Sequence, residues 1–523
     1  MDTTIIVLEL QQQVALLAAR VNELLAQNAK QEILIKHYEN QILLLKRQKF
    51  GQSSEKYSTG DCHQLNFLGE PENTPIPEPE TEDITYSRKK RKGKREEDLS
   101  GLPVERIDHE LPENGRGCPE CGESMKDIGV DIRRELKLIP AQVIVVEHAT
   151  HAYACDNPVC EENTGGVTIV KAESPKPIIP GSLASSSLVA HIAYQKYSNG
   201  LPLYRLEKGF QYDGVIISRQ TMSNWVMKCA EIYLLAIYLM LKTFLLKESV
   251  LHADETTVQV LREPGRDPQS KSYEWVYRTS GCCENKIVIY DYQETRKREH
   301  PEEFLKDFKG FLHTDGYEVY HGLPPDIVIV GCWSHARRYW EKILKTIAKD
   351  KRKGTDAERG VAYINMLFDL EREFKNLSPE ERYKARLEKS KPIADAFFAW
   401  ADKLSALPKS PLGEARHYAL SQQKYLENVF LDGRTELSNN RCERSVKPFV
   451  MGRKNWLFSN TPDGAKASSV MYSIIETAKE NGLHPFHYLK FLLETLPNTT
   501  TGNLEALLPW SVSLPEVCRV TVK

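Results

Sequence analysis

Between residues 7 and 45 apolar side chains recur every seven positions. Val7, Val14, Val21, Asn28, Ile35 and Ile42 fall on one seam, and Leu10, Leu17, Leu24, Gln31, Tyr38 and Leu45 on the other. β-branched residues at the first seam with Leu at the second favour a parallel two-stranded coil, and Asn28 would fix its register. The pattern predicts self-association through residues 1–49, as a homodimer; an amphipathic helix packed on its own chain is the alternative. Residues 175 to 246 read as helices with short turns. Within them Ser218–Trp225, following Gly214, has the polar start and apolar stripe of a helix-turn-helix recognition helix, and equally of a helix in a plain bundle.

After Ser249 the period shortens. Strands are expected at Val250–Ala253, Tyr273–Arg278 and Lys286–Tyr292, then a helix near Pro301–Phe308, a strand at Gly310–Thr314, a further helix and a strand within Asp326–Cys332. Three strands followed by helix, strand, helix and strand describe a ribonuclease-H-like mixed sheet, in which the first and fourth strands are neighbours. Residues 341 to about 430 return to a helical pattern; Ser378-Pro379-Glu380-Glu381 is a helix start with cap, proline and capping Glu. The core is expected to resume with a short helix from about Ser438 that stops before Pro448.

Two segments lack such periodicity. Residues 50–117 are polar and proline-rich, and Arg88–Arg95 holds seven cations in eight positions after the acidic tract Glu70–Asp83, which predicts a disordered linker. Its basic block suits DNA phosphates or simple solvation. Then come Cys118-Pro-Glu-Cys121 and Cys155-Asp-Asn-Pro-Val-Cys160. Two thiolate pairs at this separation can close a tetrahedral structural Zn²⁺ site in a small β unit, with His148 and His151 as spare ligands; redox-active or buried cysteines are the alternative.

The expected architecture is therefore a multidomain α/β chain: coiled coil at 1–49, charged linker at 50–117, zinc-binding β unit at 118–172, and helical, candidate helix-turn-helix DNA-binding domain at 173–247. The mixed-sheet core follows at 248–345, interrupted by an all-α insertion at 346–430 and completed at 431–480, with a C-terminal segment at 481–523. At 523 residues several structural units are expected, since one core rarely serves so long a chain. A net charge of −2 means that any nucleic-acid surface must arise from local segregation of charge. Eleven cysteines without a disulfide-like spacing fit a reducing compartment. The N-terminus has no secretory pattern, and the apolar run Ile232–Leu241 is about half a bilayer span, better read as a buried helix. A cytoplasmic protein with no membrane partner is expected.

Three acids stand in short distinctive contexts: Asp254 in V-L-H-A-D-E-T-T, Asp315 in F-L-H-T-D-G-Y and Glu443 in S-N-N-R-C-E-R. Asp254 and Asp315 close apolar segments that read as strands, so their carboxylates would meet at the end of the sheet and share hard cations, Mg²⁺ or Mn²⁺, with Glu443. Such a site cuts or joins phosphodiesters. Glu436 is the rival third acid, and Glu255 a weaker ligand on the opposite face. His252 and His313 lie two residues before the aspartates, and His335 opens a helix near them. Asn439 and Asn440 are placed to orient Glu443 or DNA. Arg337, Arg338, Arg444, Lys447, Arg453 and Lys454 suit phosphates, and Trp456 an unpaired base.

These residues, in H-A-D-E-T, T-D-G-Y, C-W-S-H-A-R-R and S-N-N-R-C-E-R-S-V-K-P-F-V-M-G-R-K-N-W-L-F-S, with L-P-L-Y-R (Leu201–Arg205) and N-G-L-H-P-F-H-Y-L, resemble the large transposase of the bacterial insertion sequence 66 family. The resemblance covers nearly the whole chain. It implies a DDE triad of Asp254, Asp315 and Glu443 that cleaves DNA at the element ends and joins the 3′-hydroxyls to target DNA. It further implies a nucleoid-associated bacterial protein and accessory proteins encoded by the same element. One departure is Lys447-Pro448 where the family has Arg-Pro, which keeps the charge and loses the bidentate fork. A non-catalytic DNA-binding regulator and a structure-specific nuclease are the competing functions.

Overall fold

A computed structural model describes residues 142–154, 169–498 and 504–520. The coil at 1–49, the linker at 50–117 and all four candidate zinc cysteines lie outside the described residues. Two short strands, β1 (Ala152–Ala154) and β2 (Ile169–Lys171), pair antiparallel and flank in sequence the second cysteine pair.

The helical region contains α1 (Ser186–Ala193), α2 (Leu203–Tyr212), α3 (Arg219–Cys229) and α4 (Leu235–Leu246), the last two joined through a π-turn into one helix. Ser218 caps α3 by accepting from the Thr221 amide, and Gly214, at φ +76°, turns the chain between α2 and α3. The continuous helix Arg219–Leu246 is long and apolar enough to cross a membrane by length and composition. Its run Ile232–Leu241 is not the buried segment expected. Ile237 and Leu241 are fully buried on the core, whereas Ile232 is 59% and Leu239 52% exposed. A helix laid on one face of a sheet can bury only one stripe.

The strands expected after Ser249 form one five-stranded sheet. β3 (Val250–Gln259), β4 (Lys271–Thr279) and β5 (Val288–Gln293) pair antiparallel in succession. After α5 (Glu299–Phe304), β6 (Gly310–His313) returns beside β3, parallel to it, and β7 (Ile327–Val330) joins parallel to β6. The order is β5-β4-β3-β6-β7. Two details differ from expectation. The helix expected between β6 and β7 is a single 3₁₀ turn, Tyr320–Gly322, and β3 continues past Asp254 to Gln259 because β4 carries its pairing on after β6 ends.

From β7 the chain enters α6 (Trp333–Thr346) and the helices α7 (Asp356–Glu373), α8 (Pro379–Ala385), α9 (Lys391–Lys403), α10 (Pro411–Ser421) and α11 (Gln423–Leu426). These have their own core, centred on Trp333, Trp340, Ile364, Phe397 and Phe430. Buried Arg386 ties it to the returning chain through Glu371 and the Thr435 carbonyl. The chain then forms α12 (Asn440–Trp456), α13 (Pro462–Glu480) and α14 (Pro485–Thr495). α12 does not stop before Pro448 but runs through it. Pro448 removes only the bond to the carbonyl of Arg444, an exposed residue, and the helix beyond it buries Phe449 and Gly452. Gly452 is required there, since a Cβ would come within 2.2 Å of the Tyr472 hydroxyl and 2.4 Å of the Trp456 ring.

α13 does the work of a sixth strand. Small polar residues recur every four positions, and two of them meet the edge of β5: the Tyr290 amide donates to Ser473 Oγ (2.8 Å) and the Val288 amide to Thr477 Oγ1 (3.0 Å). Asn481 just beyond accepts from the Lys286 amide (3.3 Å) and donates to its carbonyl (2.6 Å). An otherwise unpaired sheet edge is thereby satisfied and hidden. Thr477→Val keeps the shape and strands the Val288 amide, so an unfolding free energy lower by about 1–3 kcal/mol is expected in urea titration.

Candidate active site

Parallel pairing of β3 with β6 matches His252 to His313, so that two residues further on Asp254, still within β3, and Asp315, just past the end of β6, lie at the same level. Asp254 Oδ1 accepts from the Glu255 amide (2.8 Å), and Asp315 Oδ1 from the Tyr317 amide (2.9 Å). Neither is bonded by a cationic side chain among the described residues. Burial, then the charges of Glu255 and Asp315, with a further contribution from Glu443, hold the Asp254 carboxyl well above its ordinary pKa. Glu255 is itself neutralised, by Arg296 (Nε to Oε1, 2.8 Å) and the Tyr320 hydroxyl (2.6 Å). Asp254, Asp315 and Glu443 are hard oxygen donors that repel one another, though their carboxylate oxygens are not all gathered within 4.8 Å.

Glu443 stands in the first turn of α12, whose start is fixed by Asn439. The Asn439 amide nitrogen Nδ2 donates to the Ala253 carbonyl (2.8 Å), its Oδ1 lies 2.9 Å from His252 Nδ1, and its backbone N–H reaches Cys332 Sγ (3.2 Å). One side chain thus joins the strand of Asp254 to the helix of Glu443. Asn439 is 0% exposed and has no access to DNA, which corrects the expected contact. His252 and His313 stack at 4.4 Å between ring centroids, and His313 Nε2 accepts from the Glu436 amide (2.9 Å). The Glu436 carboxylate, which burial alone would raise, is held far below the carboxylate range by His252 at 3.6 Å, by Arg441 at 2.9 Å and by the Gly281 amide at 2.8 Å. Its charge is committed to fastening the sheet to α12.

Glu443 has a different partner. Arg338 Nη2 donates to both of its oxygens, at 2.9 and 2.6 Å, while Arg338 Nη1 lies 2.9 Å from His335 Nε2. Cys332, His335 and Glu443 bring possible ligand atoms within 4.8 Å of one another. Burial, then the Arg338 charge, lowers the His335 pKa. The clamp on Glu443, the neutralisation of Glu255 and the buried role of Asn439 are absent from sequence spacing. Only the placement of Arg338 one helical turn after His335 hints at the first.

The sequence profile of the Transposase IS66 family matches residues 181–467, a span holding the sheet, the helical insertion and all three acids. The chain belongs to the IS66 transposase family. The IS66 C-terminal element matches residues 473–510, the zinc-finger binding domain of transposase IS66 residues 116–160, and the profile described as Transposase C of IS166 homeodomain residues 37–107. The last of these starts well inside the heptad region and runs into the linker. Among curated proteins the chain is similar to two from Sinorhizobium fredii. "Uncharacterized protein y4qI" is 30% identical over 90% of this chain and 87% of its own length. "Uncharacterized protein y4jD" is 28% identical over 91% and 94%.

The cations of this IS66 family member divide in two. Arg444, Lys447 and Lys454 are exposed along the outer side of α12. Arg337 instead bonds Asn365 (2.6 Å) and Glu341 (2.8 Å), and Arg453 is spent on Thr256 (3.1 Å) and Thr257 (3.0 Å) of β3. Both sequence-proposed phosphate contacts are occupied by the fold. Asn440 is half-buried beside the site. Trp456 is half-buried, with Lys196 Nζ 3.9 Å from its ring and Tyr197 near-perpendicular at 6.3 Å, so a base stacking on the Lys196 side would have to displace that cation.

Proposed function

We propose that the chain is a divalent-metal-dependent DNA transposase with a ribonuclease-H-like core, in which Asp254, Asp315 and Glu443 form the catalytic triad. The observation that carries this reading is the pairing of His252 with His313, which sets Asp254 and Asp315 on neighbouring strands, with the Glu443 helix tied to Ala253 through Asn439. Sheet order β5-β4-β3-β6-β7, with both aspartates beside the β3–β6 seam, supports the core assignment. Bound there, Mg²⁺ or Mn²⁺ would supply activation of the attacking oxygen and stabilisation of the leaving one. Asp254, Asp315 and Glu443 would hold the metal, and Cys332 is too soft a donor to compete for it.

The chain's own residues set up the rest. Asn439 keeps Glu443 in register with Asp254. Arg338 neutralises Glu443 before loading and, once released, is a bidentate donor for a DNA phosphate. Arg444, Lys447 and Lys454 hold the backbone of an element end, so that cleavage frees a 3′-hydroxyl that is then joined to target DNA. The N-terminal heptads dimerise the protein in the cytoplasm, and proteins of the same element accompany it. Cys118, Cys121, Cys155 and Cys160 bind structural Zn²⁺; zinc content is expected to fall by one equivalent in Cys118→Ser with Cys121→Ser, and an unchanged content refutes the assignment.

Labelled DNA carrying the terminal repeats that flank the reading frame, incubated with Mg²⁺ and either the wild-type protein or Asp254→Asn, tests the function. Nicking and joining by the wild type alone is expected. Binding without nicking identifies a regulator, and nicking without joining a nuclease.

A further inference from the structure

The geometry points to Leu457 and Phe458 as an apolar wedge that enters the base stack of the duplex lying along α12. This rests on the DNA-binding reading above and extends it to a residue pair that the spacing of the acids does not involve. Arg444, Lys447, Met451 and Lys454 are exposed at intervals of three and four residues, so one outer row of α12 is largely cationic and suits a phosphate backbone. Where that row ends, the chain does something costly. Leu457 has φ +70° and ψ −47°, and it is the non-glycine residue with positive φ among the described residues.

The Phe458 amide bonds back to the Trp456 carbonyl (2.9 Å), closing a three-residue γ-turn of the rare, strained form. Helices that end in a left-handed residue ordinarily use glycine there. Here a leucine is held out instead, 64% exposed, with Phe458 beside it at 42%. The turn is not loose. The Leu457 amide bonds Arg453 O (2.7 Å), and Ser459 pairs with the end of β3 through Gln259 O (2.9 Å) and the Leu261 amide (3.0 Å). Strain retained by rigid surroundings, with two apolar side chains presented to water at the end of a cationic row, is the form of a device for parting bases.

The wedge also has a position. Leu457 stands fourteen positions after Glu443. At about 1.5 Å rise each they span about 21 Å, or about six base steps of 3.4 Å along the duplex. Base unstacking is therefore expected about six steps from the phosphate that is cut.

The test uses full-length protein and element-end duplexes carrying 2-aminopurine at successive positions, read by fluorescence without divalent cation, with Mg²⁺-dependent nicking measured in parallel. A rise near the sixth step is expected for the wild type and is lost in Leu457→Gly, a substitution that suits φ +70° and so does not threaten folding. A mismatch placed at that step should restore nicking to Leu457→Gly, which a merely structural role of the leucine would not allow. If the wild type binds and nicks but no position brightens, or if Leu457→Gly brightens the same step equally, the wedge is refuted while the transposase reading stands. Failure of the wild type to bind the duplex refutes both. Loss of self-association by Leu457→Gly in the absence of DNA would assign the pair to a protein interface and overturn the proposal.

Discussion

Asp254→Asn is expected to lower Mg²⁺-dependent nicking on the order of a thousandfold or more and, in metal-free protein at neutral pH, to raise the melting temperature. On the proposed reading the loss follows from removing a metal-ligating carboxylate, which would contribute several kcal/mol to the transition state, at about 1.4 kcal/mol per factor of ten. The gain follows from the same carboxylate's surroundings. Burial first, then Glu255, Asp315 and Glu443, raise its pKa in the folded protein, so the native state keeps a proton that the unfolded chain releases near the ordinary value of about 3.9. Stability from this group is therefore whole below about pH 4 and declines as pH rises toward the elevated native value. The neutral amide avoids that decline. Calorimetry across pH should find the two proteins alike in acid and the variant ahead at neutrality, with Mg²⁺ raising the wild type alone. Nicking within tenfold of wild type refutes Asp254 as a metal ligand of the reaction, and a variant no more stable at neutral pH refutes the raised pKa of its carboxyl.

The strands were legible because each is a short apolar or alternating run, and the β3–β6 adjacency followed from their order. What the sequence hid is what side chains do once elements meet. Asn439, three and four residues away from polar neighbours on a basic helix, reads as a DNA contact; only the docking of α12 on β3 reveals that it is sealed beneath the site. Arg337 and Arg453 read alike with Arg444 and Lys447, yet the first pair is taken up by α7 and β3 and the second faces water, a distinction of helix azimuth against a core whose position spacing does not give. Pro448 reads as a stop because its local cost is visible in one residue, whereas the burial that outweighs it is spread over Phe449, Gly452 and Arg453. The serine and threonine repeat of α13 is plain in the chain, but its partner, the open edge of β5, lies 183 residues away at the Tyr290–Ser473 bond.

Asn439→Ala should separate positioning from DNA contact. Its side chain is the bridge between the Ala253 carbonyl and His252 on one side and the first turn of the Glu443 helix on the other. Removing it leaves two buried groups without partners, a cost of about 1–3 kcal/mol each, and frees α12 to shift relative to β3. A displacement near 1 Å between catalytic groups can cost on the order of a hundredfold in rate, so kcat for nicking is expected to fall by about that factor. DNA affinity and its salt dependence should stay as they are, because a fully buried amide releases no counterion. Arg444→Ala with Lys447→Ala should do the reverse: weaker binding, a slope of log affinity against log salt shallower by about 2, and near-normal nicking once DNA saturates the protein. Were Asn439→Ala to weaken DNA binding as the double variant does while leaving kcat intact, the bridge between the two acids would not be what aligns them.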